Sequence, residues 1–210
     1  MPYKQIEQAV MEGNPRLAVR LIREALNAGE NARDILEGGL LSAMRRMGMD
    51  FQEDEGDIAR VLACARAMKA GLAELEPQLE NDGKVCKGKV ILGTAGGDLH
   101  DLGKNIVAIM FRSTGFQVVD VGVDVSAGQF VRAVKENPDA DIVCISSLLT
   151  TSLPEMRHIV QSLNAMPNRS QFHVMVGGGP VTEEFARKIG ADAYTDNAVE
   201  AAELAETFVQ

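Results

Sequence analysis

The sequence predicts an α/β protein in which an N-terminal four-helix bundle precedes a doubly wound parallel-sheet domain of the Rossmann-like or flavodoxin-like type. Apolar residues recur at helical spacing in roughly the first 80 residues, whereas the rest of the chain alternates short β-rich runs with helical segments. Strands that alternate with helices in this way indicate βαβ units, a parallel sheet and right-handed crossovers. The polar stretch PQLENDGKVCKG lies between the two patterns. We therefore place a helical domain at residues 1–85 and an α/β domain at residues 86–210.

Four helices are predicted in the first domain, and the first of them is a short helix around Ile6 to Met11. The second begins at Asn14 and Pro15, an N-cap residue followed by the residue type favoured at the first helical position, and Gly29 ends it. The third starts near Asn31 and the fourth ends at Pro77. Apolar residues recur along one side of these two helices: Leu36, Leu40, Met44, Met47 and Phe51 in the third, and Ile58, Val61, Leu62, Ala65, Met68, Leu72 and Leu75 in the fourth.

Five β-rich runs alternate with five helical segments in the second domain. The predicted strands are KVILGTA, QVVDVGV, DIVCISS, FHVMVGG and ADAYT, and the helices begin near Leu102, Ser126, Ser152, Val181 and Ala198. In such sheets, ligands bind beyond the carboxyl ends of the strands, near the point where the strand order switches. We therefore expect the loops after the first, third and fourth strands to open on one edge and to hold any binding site.

The composition restricts the classes of partner. The chain has 210 residues, of which 46% are apolar, so it can bury a substantial core. Its net charge is −9, its pI is near 4.9, and acidic residues occur in both halves without a basic run. These properties argue against nucleic acid and against an acidic membrane surface as partners. We expect a small molecule or another protein instead.

The cysteines and the chain's hydropathy predict a cytoplasmic protein. Cys64, Cys86 and Cys144 form no CxxC pair and are odd in number, so neither a disulfide framework nor a cysteine zinc site is indicated. No apolar segment approaches the roughly 20 residues that span a bilayer, and the N-terminus lacks the hydrophobic core of a secretory signal.

The loop after the first strand, GGDLHDLGKN, carries a histidine where nucleotide-binding folds present glycines and amides to a phosphate. In an extended segment, residues i and i+2 point the same way. Asp98 can therefore accept a hydrogen bond from one nitrogen of His100 while the other nitrogen faces outward. This arrangement is typical of a metal-ligating histidine and its supporting carboxylate. It also suits a general base in a hydrolase or isomerase, and the pair alone does not choose between the two.

The loops after the third and fourth strands favour a long ligand. On an extended chain, Ser146, Thr150 and Ser152 lie on one side and offer hydroxyls in a row. The glycines from Gly177 to Gly179 remove side chains where a bulky ligand group would have to pass. A tight strand-to-helix turn is the alternative explanation for the three glycines.

Three motifs occur in order at the ends of the first, third and fourth strands: Asp98-x-His100-x-x-Gly103, Ser146-x-Leu148 and Gly177-Gly178. Together they resemble the signature of domains that bind cobalamin base-off, with a protein histidine on cobalt. The bundle, linker and α/β domain are similar to the corrinoid proteins of anaerobic methyltransferase systems that use methanol, methylamines, methoxylated aromatics or betaines. They are also similar to the cobalamin module of methionine synthase. GDLHDLGKNIVA and SSLLTTSLPEM are most similar to free-standing corrinoid proteins.

The resemblance implies a role for each residue near the first loop. His100 would be the lower axial ligand of cobalt and would displace the cofactor's own benzimidazole. Asp98 would hydrogen-bond His100, and Ser152 would extend this relay toward solvent. Gly103 would let the following helix pack closely under the corrin ring. Asp101, which we expect to face solvent or to cap the loop, completes the cofactor-binding candidates here.

The resemblance assigns the other two loops to the displaced nucleotide tail of the cofactor. Ser146 and Leu148 would line the slot that takes this tail, with the Thr150 hydroxyl beside them. Gly177 and Gly178 would leave room for it.

The bundle would cover the upper, methyl-bearing face of the corrin. Relatives commonly begin the fourth helix with a bulky apolar residue and a proline that contribute to this cap. The same place here holds Glu55-Gly56-Asp57-Ile58-Ala59-Arg60, so no cap residue is assigned.

The implied function is that of a methyl carrier with cobalamin, as methylcobalamin or a related corrinoid, for its cofactor. A substrate:corrinoid methyltransferase would deliver the methyl group and a corrinoid:acceptor methyltransferase would remove it, with a reductive activator protein as a third partner. A proton on the relay of Asp98, His100 and Ser152 would couple ligation of cobalt to protonation. No catalytic residue is assigned, because the chain would be a carrier subunit and not an enzyme on its own.

Three alternatives stay open. A subunit of an adenosylcobalamin-dependent mutase would carry the same motifs, but such subunits often lack an N-terminal bundle. A cobalamin-binding regulator usually carries a DNA-binding segment, and this acidic sequence offers no basic helix. The third alternative is a plain metal or general-base site on a flavodoxin-like domain, for which the serine and glycine loops would be coincidental.

Overall fold

A computed structural model of the protein describes residues 2–44, 46–47, 58–79 and 87–209. The chain divides into two compact units, Met1–Glu80 and Asn81–Gln210. The predicted boundary between residues 85 and 86 lies outside the described residues. So do Phe51 of the predicted third helix and residues 55–57 ahead of the fourth.

The first unit is a bundle of helices. Its elements are α1 (Pro2–Met11), α2 (Pro15–Asn27), α3 (Ala32–Ile35), a π-helix (Leu36–Leu41) and α4 (Ile58–Leu79). Residues 42–44 and 46–47 are also helical, so α3, the π-helix and these residues form the third helix of the bundle. Its core consists of almost completely buried side chains: Ile6, Val10, Ile22, Ile35, Leu40, Met68 and Leu75. The predicted four-helix bundle is confirmed.

Asparagine side chains cap the starts of α2 and α3; the cap at Asn14 and a helix start near Asn31 were both predicted. Asn14 Oδ1 accepts a hydrogen bond from Leu17 N at 3.0 Å, and Asn31 Oδ1 accepts one from Arg33 N at 2.8 Å. Each cap pairs an amide that the first helical turn leaves without a partner. Gly29 has a φ of 85° just after α2, a conformation that suits glycine.

Two details of the bundle differ from the predicted helices. The third helix contains the π-helical turn, in which Gly38 and Gly39 lie against α1. A Cβ on Gly39 would come within 2.9 Å of Ile6 Cγ2, so glycine is what allows this close approach. The second difference is that α4 continues past Pro77 to Leu79. Pro77 leaves the Ala73 carbonyl without its usual helical donor and crowds it with the proline ring, and the helix ends two residues later.

The second unit contains a parallel sheet of five strands in the order β2-β1-β3-β4-β5. The strands are β1 (Gly88–Ala95), β2 (Phe116–Val125), β3 (Ile142–Ser146), β4 (His173–Gly177) and β5 (Ala193–Thr195). The helices are α5 (Leu102–Thr114), α6 (Ala127–Glu136), α7 (Leu153–Asn164), α8 (Glu183–Ile189) and α9 (Ala198–Phe208). Short 3-10 helices occur at Thr150–Ser152 and Arg169–Gln171. The predicted alternation of strands and helices is confirmed.

Helices lie on both faces of this sheet, as a doubly wound fold requires. Three helices, α6, α7 and α8, share one core with the strands, formed by buried side chains that include Phe130, Met156, Ile159, Ile91, Val143 and Val174. The other two, α5 and α9, contact each other outside that core. In the part of the chain that is described, no helix has the length and hydropathy needed to cross a membrane.

The strand register aligns the carboxyl ends of the three central strands. Thr94 of β1 lies opposite Ser146 of β3, and Ser146 lies opposite Gly177 of β4. The loops that follow these strands therefore start at one edge of the sheet, as predicted. The strand order changes direction between β1 and β3, where open α/β sheets bind their ligands.

Candidate functional site

The Asp98 carboxylate is the centre of the site and joins the loop after β1 to the loop after β3. Its side chain is completely buried. Oδ2 accepts hydrogen bonds from Leu148 N at 2.6 Å and from Leu149 N at 3.1 Å. Oδ1 accepts one from His100 N at 3.0 Å. The two loops are thereby cross-linked at the point where the strand order switches.

These hydrogen bonds keep Asp98 ionised. Burial alone would raise the pKa of its carboxyl, but the N–H groups of His100, Leu148 and Leu149 outweigh burial and lower the pKa below its ordinary value. A carboxylate surrounded by donors can only accept hydrogen bonds. Asp98 is therefore a negatively charged acceptor that is held in one position between the two loops.

His100 lies beside this carboxylate with its imidazole half exposed. Nδ1 is 2.6 Å from Asp98 Oδ1, and 51% of the side-chain surface is accessible. The ionised Asp98 carboxylate can only accept a hydrogen bond, so Nδ1 carries the proton when the imidazole is neutral. The Nε2 lone pair is then available to a ligand. Thr94 fixes the main chain at the same residue, since its hydroxyl donates to the His100 carbonyl at 3.0 Å. The structure thus brings Asp98 and His100 together in the predicted pairing.

Ser152 lies on the buried side of Asp98. Its hydroxyl is 3.4 Å from Asp98 Oδ2 and donates to the Leu149 carbonyl at 2.8 Å. It also lies 2.6 Å from the Ser147 hydroxyl, and both serines are buried. Ser147 was not among the predicted site residues. Ser152 therefore lies between the Asp98 carboxylate and a second buried hydroxyl, and the proton relay through Ser152 stays a prediction.

The predicted row of hydroxyls after β3 is wrong. Strand β3 ends at Ser146, and Thr150–Ser152 form a 3-10 helix. The turn leaves Thr150 exposed and Ser146 half-buried, while Ser152 faces Asp98. Alternation along an extended strand therefore does not apply beyond Ser146, and the three hydroxyls do not share one side.

Exposed leucines occur on the two loops that Asp98 joins. Leu99 is 74% exposed, and Leu148 and Leu149 are also exposed. Among the described residues of the second unit, these three are the large apolar side chains with high exposure, and all belong to the two loops joined by Asp98. Such a concentration of exposed apolar side chains is typical of a ligand surface.

Gly103 and Asp101 lie at the start of α5, close to His100 in the sequence. Among the described residues of this unit, none has an atom within 4 Å of a Cβ added to Gly103, so their packing does not require glycine there. Asp101 is the N-cap residue of α5, and its carbonyl accepts a hydrogen bond from Asn105 N at 2.8 Å. Space is therefore open beside the first turn of α5.

The two glycines after β4 have a packing role within the protein. A Cβ on Gly177 would come within 2.8 Å of the Thr195 carbonyl oxygen, and one on Gly178 within 1.9 Å of the Ser147 carbonyl oxygen. Gly178 also has a φ of 116°, a conformation that side chains rarely permit. Glycine at these two positions therefore permits the close approach of the end of β4 to the end of β5 and to the loop after β3, where Ser147 N donates to the Gly177 carbonyl at 3.1 Å.

The comparisons with known proteins agree with this geometry. Two family models, both described as B12 binding domain, match residues 88–203 and residues 3–76. A corrinoid protein of Desulfitobacterium hafniense is 36% identical over 208 residues, which cover 98% of this chain and 96% of the relative. Trimethylamine corrinoid protein 2 of Methanosarcina mazei is 39% identical over 197 residues, which cover 93% of this chain and 90% of the relative.

Solved structures show the same fold. The monomethylamine corrinoid protein of Methanosarcina barkeri matches with a TM-score of 0.91 at 33% identity, over 98% of this chain and 97% of that one. A chain of the methanol:cobalamin methyltransferase complex of the same organism matches with a TM-score of 0.55 at 26% identity, over 99% of this chain and 79% of that one. The protein therefore belongs to the family of corrinoid proteins and has a B12 binding domain over residues 88–203.

Proposed function

We propose that the protein is a methyl carrier that binds cobalamin with His100 as the lower axial ligand of cobalt. The observation that carries this proposal is the Asp98–His100 pair, in which a buried carboxylate fixes Nδ1 and the rest of the ring is half exposed. A metal-ligating histidine ordinarily donates its second nitrogen to such a carboxylate. Nε2 of His100 is the atom that would bind cobalt.

The chemistry of the donor set fits a corrinoid. Within the described parts of the chain, no group of three or more histidine, cysteine, aspartate and glutamate side chains is placed to hold a metal ion. A lone imidazole suits a metal whose other positions are filled by a macrocycle. The exposed leucines 99, 148 and 149 and the open space beside Gly103 suit the flat, largely apolar face of such a ring. The residues present therefore fit the group.

The residues of the chain would control the axial imidazole. Cobalt bound in the corrin supplies the methyl-transfer chemistry. Asp98 would orient the ring through Nδ1, which leaves Nε2 as the atom that faces the metal. Both Asp98 oxygens already accept hydrogen bonds from main-chain amides, so the carboxylate would act toward the ring only as an acceptor.

Methyltransferase proteins are the proposed partners. One structural relative is a chain of a methanol:cobalamin methyltransferase complex, and other relatives are named corrinoid proteins for methylamines. By analogy, a substrate:corrinoid methyltransferase would deliver the methyl group, a corrinoid:acceptor methyltransferase would remove it, and a reductive activator would restore the reduced cofactor. These relatives favour the carrier over the mutase subunit and the regulator. We further propose that this exchange takes place in the cytoplasm.

Reconstitution with hydroxocobalamin tests the axial-ligand assignment. We expect the wild-type protein, made with 15N-labelled histidine and reduced to the Co(II) state, to show the two-line splitting of one 15N nucleus in its electron paramagnetic resonance spectrum. This splitting distinguishes histidine from the unlabelled benzimidazole of the cofactor. His100→Ala should lose that splitting and retain less cobalamin after gel filtration. His158→Ala is the matched control, because His158 is an exposed histidine on α7. A His100→Ala spectrum identical to that of the wild type would overturn the assignment.

A further inference from the structure

Asp124, at the end of β2, has an unusual backbone conformation next to the site. Its φ is 55°, and no other described residue apart from glycines has a positive φ. Backbone strain of this kind persists when the surrounding contacts require it. Asp124 Oδ1 accepts a hydrogen bond from Gly97 N at 2.7 Å, and Asp124 N donates to the Asp98 carbonyl at 3.0 Å. Both contacts are to the loop that carries His100.

Asp120, four residues earlier on β2, holds the other end of the same loop. It forms an ion pair with Lys104 in the first turn of α5, and the Lys104 side chain is only 3% exposed. The second oxygen of Asp120 accepts a hydrogen bond from Gly122 N at 2.9 Å. The register between β1 and β2 is irregular here, as in the β-bulges that adjoin many functional sites.

We propose that Asp124 is a positioning residue for His100, and that Asp120 and Asp124 together form a clamp, the β2 clamp, on the loop between β1 and α5. The clamp holds the main chain before His100 through Gly97 N and the Asp98 carbonyl, and it connects the first turn of α5 to β2 through the Lys104 side chain. Movement of His100 toward or away from a ligand is then confined to its side chain. In its effect on cobalamin the inference rests on the proposed function, but the clamp itself is a property of the protein alone.

Two substitutions separate the side-chain contact from the backbone conformation. Asparagine tolerates a positive φ and keeps an acceptor oxygen for Gly97 N, whereas glycine keeps the conformation and loses the acceptor. Asp124→Asn therefore removes only the charge, and Asp124→Gly removes the contact. Neither substitution requires a new backbone conformation, so both variants are expected to fold.

The first measurement is amide hydrogen exchange at Gly97 in the protein without cofactor. We expect Asp124→Gly to exchange about tenfold faster than Asp124→Asn and the wild type, in line with the loss of one charge-assisted hydrogen bond. The second is made after reconstitution with hydroxocobalamin. Asp124→Gly should lose cobalamin about fivefold faster and show a broadened axial-nitrogen splitting in the Co(II) state, while Asp124→Asn stays within about twofold of the wild type.

The outcomes distinguish the two proposals. Equal Gly97 exchange in all three proteins would overturn the clamp. Faster exchange in Asp124→Gly with an unchanged splitting and unchanged loss of cobalamin would overturn the positioning role. Equal defects in Asp124→Gly and Asp124→Asn would also overturn it, because the charge and not the contact would then matter. A wild-type protein without nitrogen splitting would overturn the proposed function, and Gly97 exchange would still decide the clamp.

Discussion

The hydroxyl oxygens of Ser147 and Ser152 lie 2.6 Å apart in the interior, and Ser152 lies 3.4 Å from the Asp98 carboxylate. The backbone amides of Leu148 and Leu149 are closer to that carboxylate, at 2.6 and 3.1 Å. The amides therefore hold Asp98. The two serine hydroxyls share their two protons between each other and the Leu149 carbonyl, and they support the turn as one coupled group.

We expect Ser147→Ala and Ser152→Ala each to lower the free energy of unfolding by about 1 kcal/mol, the usual value for one buried hydrogen bond. The double substitution should cost less than the sum, since the two hydroxyls are partners of each other. Urea denaturation at neutral pH measures all three. Thr151→Ala, on the exposed side of the same turn, is the control and should change little. Strictly additive losses would contradict the direct coupling.

Replacing Asp98 by asparagine should be costly. An amide has one acceptor oxygen, so its NH2 group would face either the Leu148 and Leu149 amides or the His100 amide and ring. Donors would then oppose donors inside a buried site. We expect a loss of about 2–3 kcal/mol in the free energy of unfolding. Asp101→Asn, at the start of α5, is the comparison; an equally small effect of both substitutions would contradict the central role of Asp98.

The stability of the wild type relative to Asp98→Asn should depend on pH. Because the pKa of Asp98 is lowered in the folded protein, its ionised form contributes stability above the ordinary pKa of 3.8. That contribution is lost as the pH falls through the lower pKa of the folded state. The stability difference between wild type and Asp98→Asn should therefore be constant from pH 5 to 7 and shrink below about pH 4. Urea midpoints measured across this range give the result, and a difference that grows in acid would contradict it.

Tyr3 should ionise only in strong alkali. Its hydroxyl donates to Glu30, and this hydrogen bond, together with burial and the charges of Glu30 and Asp34, raises its pKa to about 12. A raised pKa stabilises the fold below pH 10, and this stabilisation is lost as the pH rises through 12. Spectrophotometric titration of Tyr194→Phe isolates Tyr3, because the chain has two tyrosines. Ionisation of folded Tyr194→Phe near pH 10 would contradict the contact.

Two glycine substitutions separate packing from ligand binding. Gly178→Ala should cost at least about 3 kcal/mol, because its Cβ would overlap the Ser147 carbonyl at a φ of 116°. Gly103→Ala should keep or slightly raise the stability, since alanine favours a helix and meets no neighbour. If a corrin ring lies beside α5, Gly103→Ala should nevertheless weaken cobalamin binding about tenfold. Normal binding by a stable Gly103→Ala protein would show that the ring lies elsewhere.

The alternation of strands and helices predicted the fold, and the two-residue spacing predicted the pairing of Asp98 with His100. Ser147 was missed because strand alternation places it opposite Ser146, and only the turn after β3 brings it to Ser152. No pattern in the sequence pointed to Asp124 either. Its role depends on a positive φ and on contact with Gly97, 27 residues away in the sequence, and neither is encoded in local spacing.

The packing role of Gly177 and Gly178 could not be predicted either, because it also depends on segments that are distant in the sequence. A glycine run in a loop is compatible with both a ligand slot and a tight turn. Only the register of neighbouring strands shows that carbonyl groups of Thr195 and Ser147 occupy the space where side chains would be. Contacts between distant segments decide such positions, and one sequence does not reveal them.

The bonds from Asp98 to Leu148 and Leu149 join segments about 50 residues apart. A chain that ended before Leu148 would contain both Asp98 and His100 but would lack the two amides that hold the carboxylate. The orientation of the imidazole therefore depends on completion of β3 and of the turn that follows it, and not on the histidine loop alone.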